Sequence, residues 1–421
     1  MFNIKKNVTN LLAYLIAAIF IYNCNSIWST VPSLRRLINI SYVILICISF
    51  IYILLSLNSQ SRNNILKLGE ITLGILIYLL VYCLFTPTPD KVIRIGIVVI
   101  LFIWMVGINN NKTVPPILLK YKNLMIIIAG ISLIFWLFGS LLHLIFPNGY
   151  ILSNWSAFNG IALPVPNYHN LYFEAQNMNS NFNNFPRNTA IFTEAPMSSL
   201  NFSLALLIEI FFTSSLNKWS KLQKSILILA LITTISTTGY LFLIFIFCIR
   251  LFQSKKIDTH RNLILIILPI VVIIGSLIII TLLNQKFTLD SGSSSIRLDD
   301  YKVGLAAWID HPLFGIGIQN SNLLIQYMGN WRTFNTGFSN SLMDLLSGGG
   351  LYLTVGYFLC FGRGIFINIH IKNWNKFWFT ILTLYLFILI IFTYSYILIF
   401  ILIWFAFLTP KSNYEELQCI H

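Results

Sequence analysis

INISYVILICISFIYILLSL, residues 38–57, runs for twenty positions without an Asp, Glu, Lys or Arg. A run of that length crosses roughly 30 Å of hydrocarbon as one helix. An internal span is the natural reading, because a helix satisfies every backbone group without water. Runs of the same kind recur near residues 8–23, 68–86, 92–108, 124–146, 198–215, 225–238, 239–254, 263–283, 346–370, 377–392 and 393–409. The expectation is an all-α polytopic integral membrane protein of about 12 transmembrane helices. The composition agrees: 57% hydrophobic and 10% charged, against roughly 25% charged in a soluble domain.

The formal net charge of +14 does not point to nucleic acid, because the basic residues sit in short clusters between apolar runs, as topology-setting Lys and Arg do. With the N-terminus cytoplasmic, the inner segments hold 18 of the 27 Lys and Arg and the outer segments 9. That bias puts both termini in the cytoplasm. Six Cys show no paired spacing and read as small buried hydrophobes. The stretch after Met1–Lys6 lacks a small-residue cleavage site, so the first helix is expected to stay as an anchor.

The expected organisation is therefore helices 1–5 over 1–146, a first large loop over 147–197, helices 6–9 over 198–283, a second large loop over 284–345, and helices 10–12 with a tail over 346–421. Both loops fall on the outer, periplasmic face. Structureless loops beyond about 12–15 residues are usually functional or disordered, and the aromatics Trp155, Phe158, Tyr168, Tyr172 and Phe173 argue that the first is packed. In the second, Ser293–Ser295 supply N-cap oxygens and Pro312 a stop. Between them Leu298, Tyr301, Leu305 and Trp308 recur at helical spacing, as on an amphipathic face lying on the membrane or on the bundle.

Candidate chemistry is confined to a few places. Arg187-Asn-Thr-Ala-Ile-Phe-Thr-Glu194-Ala-Pro196 joins the first loop to the next helix. Glu194 reads either as an acid stabilising a helix start or as a group that accepts a proton or orients Arg187, itself a fork for phosphate. In the second loop Arg297, Tyr301 and Trp308 share one helical face. Arg297 with Asp300 can equally be a plain i,i+3 pair. His311-Pro312-Leu-Phe-Gly315-Ile-Gly317 ends near Asn320, and the glycines allow close backbone approach. His311 and His169 read as turn residues before they read as catalysts. Glu209, inside an apolar run, is a functional candidate by default, or else a Glu paired inside the bundle. No metal-ligand spacing and no cofactor motif is present.

These stretches, with Asn340-Ser-Leu-Met-Asp-Leu-Leu-Ser-Gly-Gly-Gly350, resemble the bacterial O-antigen polymerases, which share a superfamily of lipid-dependent glycosyltransferases with the O-antigen ligases. The resemblance implies a GT-C-like membrane architecture in the inner membrane. It also implies an undecaprenyl-pyrophosphate-linked oligosaccharide as substrate, membrane lipids around the site, and a partner that sets chain length. By matching, Arg187, Glu194 and Arg297 would be catalytic and Arg332, Tyr301, Trp308, His311, Asn320 and Asn340 would bind substrate. Where family members, ligases especially, often carry His-Asn, this chain reads Ser339-Asn340. That departure favours polymerase over ligase, with a lipid-linked sugar transporter as the reading from another class.

Overall fold

The computed structural model describes residues 2–57, 65–109, 114–158, 161–178, 185–213, 218–253, 291–329, 331–332 and 337–408. Its helices are α1 Phe2–Asn23, α2 Arg35–Ser56, α3 Ile65–Phe85, α4 Pro89–Ile108, α5 Pro116–Phe135, α6 Ala195–Phe212, α7 Lys218–Thr233, α8 Thr237–Gln253, α9 Ser291–Asp310, α10 Ser341–His370, α11 Trp374–Leu389 and α12 Tyr396–Ala406. Every expected apolar run that falls on described residues contains a helix. The run near 263–283 lies outside them. Among the described residues seven helices are long and apolar enough to cross a membrane, and α8, α11 and α12 are shorter apolar helices.

Local chemistry sets where these helices start. Proline stands in the first turn of α4, α5 and α6, where its missing N–H costs no helical bond. Asn340, Asn373 and Ser395 cap α10, α11 and α12 by accepting the N–H of Met343, Lys376 and Leu398. Helix α6 is buried along nearly its whole length and α12 through Phe405, so these two form the centre of the bundle. On α3, by contrast, Leu73, Ile77, Leu80 and Leu84 are exposed along one face, as suits a surface solvated by lipid.

The all-α expectation needs one correction. The first loop contains a three-stranded antiparallel sheet, β1 Gly149–Phe158, β2 Ile161–Tyr168 and β3 Tyr172–Phe173. Phe158 pairs with Ile161, and the residues between them in sequence are Asn159-Gly160, the pair most favoured in two-residue hairpins. The sheet packs through Phe173 on Trp28 and through Tyr168 and Tyr172 on Phe135. Tyr168, Tyr172 and Phe173 are thus buried as its core, while Trp155 is exposed.

A second difference lies in α10, which begins at Ser341 rather than 346 and is broken at Gly350 (φ 59°, ψ −165°). The chain segment after His311 repairs the break. Ile316 and Gly317 donate to the carbonyls of Ser347 (2.8 Å) and Gly348 (3.0 Å). Leu351 and Tyr352 donate to the carbonyls of Pro312 and Leu313, both at 2.9 Å. Four backbone groups around the kink so find partners, as irregular backbone inside a membrane protein requires. The Tyr82 hydroxyl of α3 lies within hydrogen-bond distance of the Phe314 (3.1 Å) and Gly348 (2.9 Å) carbonyls.

Glu209 of α6 is paired inside the bundle. Lys122 Nζ lies 2.8 Å from Glu209 Oε2, and Ser220 Oγ donates to Oε1 at 2.6 Å. Lys122, counted above as a topology-setting charge, is itself buried. Removing one partner of a buried pair strands the other, so Glu209→Ala is expected to cost about 3–5 kcal/mol. A thermal melt in detergent measures this, and the Glu209→Met, Lys122→Met double variant should recover much of the loss. A single variant melting with the parent rules the pair out as a structural element.

Candidate functional site

At the loop end of the bundle the junction before α6 is held from three sides. Asn188 Nδ2 donates to Ser132 Oγ of α5 (3.2 Å) and to Thr233 Oγ1 of α7 (2.9 Å). The segment also bridges to the end of α1, where Ile27 N–H donates to Ile191 O at 2.9 Å and Thr193 N–H to Asn25 O at 3.1 Å. Glu194 therefore arrives at the helix start on a fixed backbone.

Glu194 occupies the N-cap position yet makes no capping bond with its side chain. Gln176 takes that task, its Oε1 accepting the Ala195 N–H at 3.0 Å. The carboxylate is free to face other groups. Burial pushes its pKa up from the ordinary value, opposed first by the Arg297 charge, then by the Arg187 charge and by a hydrogen bond from the Trp155 side chain. The structure so brings Arg187, Glu194 and Arg297 into one electrostatic cluster, drawn from both large loops. Among the described residues the ion pairs are Lys122–Glu209 and Arg332 with Asp299 and Asp300. Arg297 and Glu194 therefore interact at longer range than a direct pair.

The two arginines are held differently. Arg187 donates from Nε to the Thr234 carbonyl and from Nη2 to the Ile235 carbonyl, both at 3.0 Å. Those carbonyls close the turn after α7, at the negative end of its dipole. Ile235 sits at φ 49°, an unusual backbone for a β-branched residue, and the Arg187 fork helps to hold it there. Arg297, half-buried on the second turn of α9, makes no ion pair with another described residue.

The face of α9 expected on the bundle or the membrane is the outer one. Leu298, Tyr301 and Leu305 are exposed, while Ile296, Asp300, Val303 and Ala307 are buried. The small side of the helix packs because α10 comes close: a Cβ on Gly304 would meet the Met343 side chain at 2.8–3.1 Å. Asp300 does not pair with Arg297. It faces Arg332, whose Nη1 lies 2.7 Å from Asp300 Oδ1 and 3.2 Å from Asp299 Oδ2, and it accepts the Ser339 N–H at 2.7 Å. Burial raises the Asp300 pKa against the pull of Ser339 and Arg332. Arg332 is thus a strut between α9 and the approach to α10, with its side chain buried.

The remaining expected site residues are dispersed. Trp308 donates from its indole N–H to the Pro312 carbonyl at 3.2 Å. His311 is exposed and accepts the Gly315 N–H at 3.0 Å, a turn role. Tyr301 is exposed on the outer face of α9. Asn340 is buried as the α10 cap. Asn320 donates to the Ile316 carbonyl at 2.9 Å and lines a polar cavity of about 290 Å³. Trp155 lines the same cavity and so connects it to Glu194. A second cavity, apolar and about 200 Å³, lies among α3, α4, α10 and α12 and shares Tyr394 with the first. Sequence reasoning missed the cap by Gln176 and the bond from Trp155, since both are long-range contacts with no local spacing to announce them.

The raised Glu194 pKa has a sign that can be tested. The folded chain holds this proton more tightly than the unfolded one, so the stability it contributes is present below the ordinary carboxylate value. It is lost as pH rises through the raised folded value. Glu194→Gln keeps the shape without the charge. Its stability relative to the parent is expected to increase from pH 4 to pH 8, read as melting temperatures in detergent at about these two values. A constant or opposite difference contradicts the buried, partly compensated carboxylate.

Residues 224–358 match the family model described as O-antigen ligase. The matched stretch takes in α9, the Gly-x-Gly segment and the broken part of α10, and stops short of Arg187 and Glu194. None of the curated proteins compared matches the chain.

Proposed function

Through residues 224–358 the chain belongs to the O-antigen polymerase/ligase superfamily, and from that premise we propose that it polymerises undecaprenyl-pyrophosphate-linked repeat units on the periplasmic face of the bacterial inner membrane. The observation that carries this reading is the convergence of Arg297 and Arg187, from two separate loops, on Glu194. In the proposed reaction the growing chain leaves its diphosphate carrier with inversion and joins a hydroxyl of the incoming unit. The leaving group is already a good one, so the protein's main task is to neutralise its developing charge. Arg suits this, being always ionised and able to make paired bonds to phosphate oxygens.

Arg297 is the principal diphosphate ligand in this reading. Arg187 adds its charge from a position fixed by the α7–α8 turn, and Glu194 keeps both side chains aimed at the site. Arg332, already held by Asp299 and Asp300, supports the loop rather than the diphosphate. The polar cavity offers amides and aromatics for sugars, and the apolar cavity beside it offers lipid-like surroundings for an isoprenoid tail. The charge count over the segments supports the periplasmic assignment. A chain-length partner belongs to the same proposal.

A second reading, the ligase that moves finished polymer onto lipid A-core, is favoured by the description of the matching family model. A deletion strain separates the two. Loss of the polymerase leaves lipid A-core capped with a single repeat unit, whereas loss of the ligase leaves bare core and accumulated lipid-linked polymer. An unchanged lipopolysaccharide ladder rejects both.

A further inference from the structure

The polar cavity is chemically unlike the arginine cluster beside it. Among the described residues its lining contains no Lys or Arg, and one carboxylate, Asp344 of α10. Around that carboxylate are amides, hydroxyls and rings: Asn320, Thr393, Tyr394, Phe338 and Trp155. Such a lining suits a neutral, hydroxyl-rich ligand better than a diphosphate, because an anion there would meet a carboxylate and no cation. Aromatic faces with a few placed polar groups are the usual way to hold an apolar-faced, polar-edged molecule.

The cavity has hydrogen-bonding capacity in reserve. Thr393, whose hydroxyl donates to the Ser341 carbonyl at 3.4 Å, stands beside Asp344 in the lining. The Tyr394 hydroxyl is buried and has no hydrogen-bond partner among the described residues, although a buried hydroxyl without one is costly. Tyr394 lines the cavity with Asp344, so a ligand hydroxyl entering there meets both an unpaired hydroxyl and a carboxylate. Gly348 lies against this point: a Cβ on it would be 3.3 Å from the Tyr394 hydroxyl. The broken helix thus brings Asp344 and the cavity wall together.

We propose that this cavity receives a sugar of the acceptor and that Asp344 is the general base for its attacking hydroxyl. The inference rests on the glycosyl-transfer reading above. The acceptor oxygen forms a bond to the anomeric carbon as the bond from that carbon to the diphosphate oxygen breaks. The hydroxyl proton passes to the Asp344 carboxylate. The electron pair of the broken bond leaves with the diphosphate, whose charge falls to Arg297 and Arg187. Trp155, which lines the cavity and stands within hydrogen-bond reach of Glu194, links the acceptor side to the diphosphate side. Glu194 then orients the arginines and is not the base.

The test uses the full-length protein purified in detergent, with isolated lipid-linked repeat units as substrate and undecaprenyl pyrophosphate as the binding probe. Asp344→Asn is expected to keep the thermal stabilisation by undecaprenyl pyrophosphate and to lose turnover by about 100-fold or more, the usual share of a general base. Asp344→Glu should recover part of it. Ser321→Trp, an exposed position on the cavity rim, needs no change in the core and should raise KM for the acceptor without weakening diphosphate binding. Asp344→Asn at parental turnover overturns the assignment of the base. Where Asp344→Asn does not fold, Ser321→Trp with an unchanged KM overturns the acceptor cavity. Failure of the parent protein itself to extend the substrate rejects the glycosyl-transfer reading, and this inference with it.

Discussion

Arg297→Ala is expected to leave the protein folded and to lower chain extension by about 10²–10³-fold, the effect of removing one donor aimed at a developing negative charge. The fold should tolerate the change because Arg297 is half-buried and joins no ion pair among the described residues. Arg297→Lys keeps the charge but not the planar fork, so it should recover only part of the activity. Arg187→Ala is the informative contrast. Its guanidinium holds the Thr234 and Ile235 carbonyls, so this variant should lose thermal stability together with activity. Both variants also remove a charge that favours the ionised Glu194, and Arg297 is the larger of the two influences. Parental turnover in Arg297→Ala, in a protein that melts with the parent, rejects the diphosphate role. Loss of both folding and activity in Arg297→Ala means instead that Arg297 is a structural residue.

How far the sequence foretold this arrangement varies with the physics of each element. Long apolar runs are legible because hydrocarbon forces backbone pairing within the segment, and each such run that falls on described residues contains a helix. The junction at Arg187–Pro196 is legible because a short local stretch keeps Arg187 and Glu194 close whatever the rest of the chain does. That Arg297 joins them depends on how α9 lies against α10, which no periodicity encodes. On α9 the apolar face read as lying on the membrane or on the bundle is one that does not lie on the bundle. Leu298, Tyr301 and Leu305 stay outside the protein's own packing, while Val303, Gly304 and Ala307 make the contact, as small residues do where helices approach closely. The Asn159-Gly160 pair carries a local hairpin signal in the sequence that the reading of residues 147–197 as a packed loop does not use. The contacts of Trp155, Gln176 and Asp344 have no local signal at all.

Gly350→Ala should be strongly destabilising for a single added methyl. The backbone at Gly350 lies at φ 59° and ψ −165°, close to a region essentially reserved for glycine, and holding another residue there costs about 1–3 kcal/mol. A Cβ would also meet the Leu313 carbonyl carbon at 2.5 Å and the Gly315 N at 2.6 Å, with the Leu313 oxygen nearer still. Backbone atoms cannot swing away as a side chain can, so overpacking adds a further penalty of about 1–3 kcal/mol. Relief requires parting the His311–Gly317 segment from α10, which breaks the four repairing hydrogen bonds at 2.8–3.0 Å and leaves their groups unpaired. The expected result is a large fall in melting temperature and early proteolysis near residues 311–317. Gly362→Ala, on the same helix with no atom within 4 Å of its new Cβ, should be neutral or gain about 0.5–1 kcal/mol from helix propensity. If the two variants melt alike, the crossover at Gly350 does not hold the loop end together. Because Asp344 and the cavity wall at Gly348 stand on the near side of that break, a partly stable Gly350→Ala protein should also lose acceptor affinity before it loses diphosphate binding.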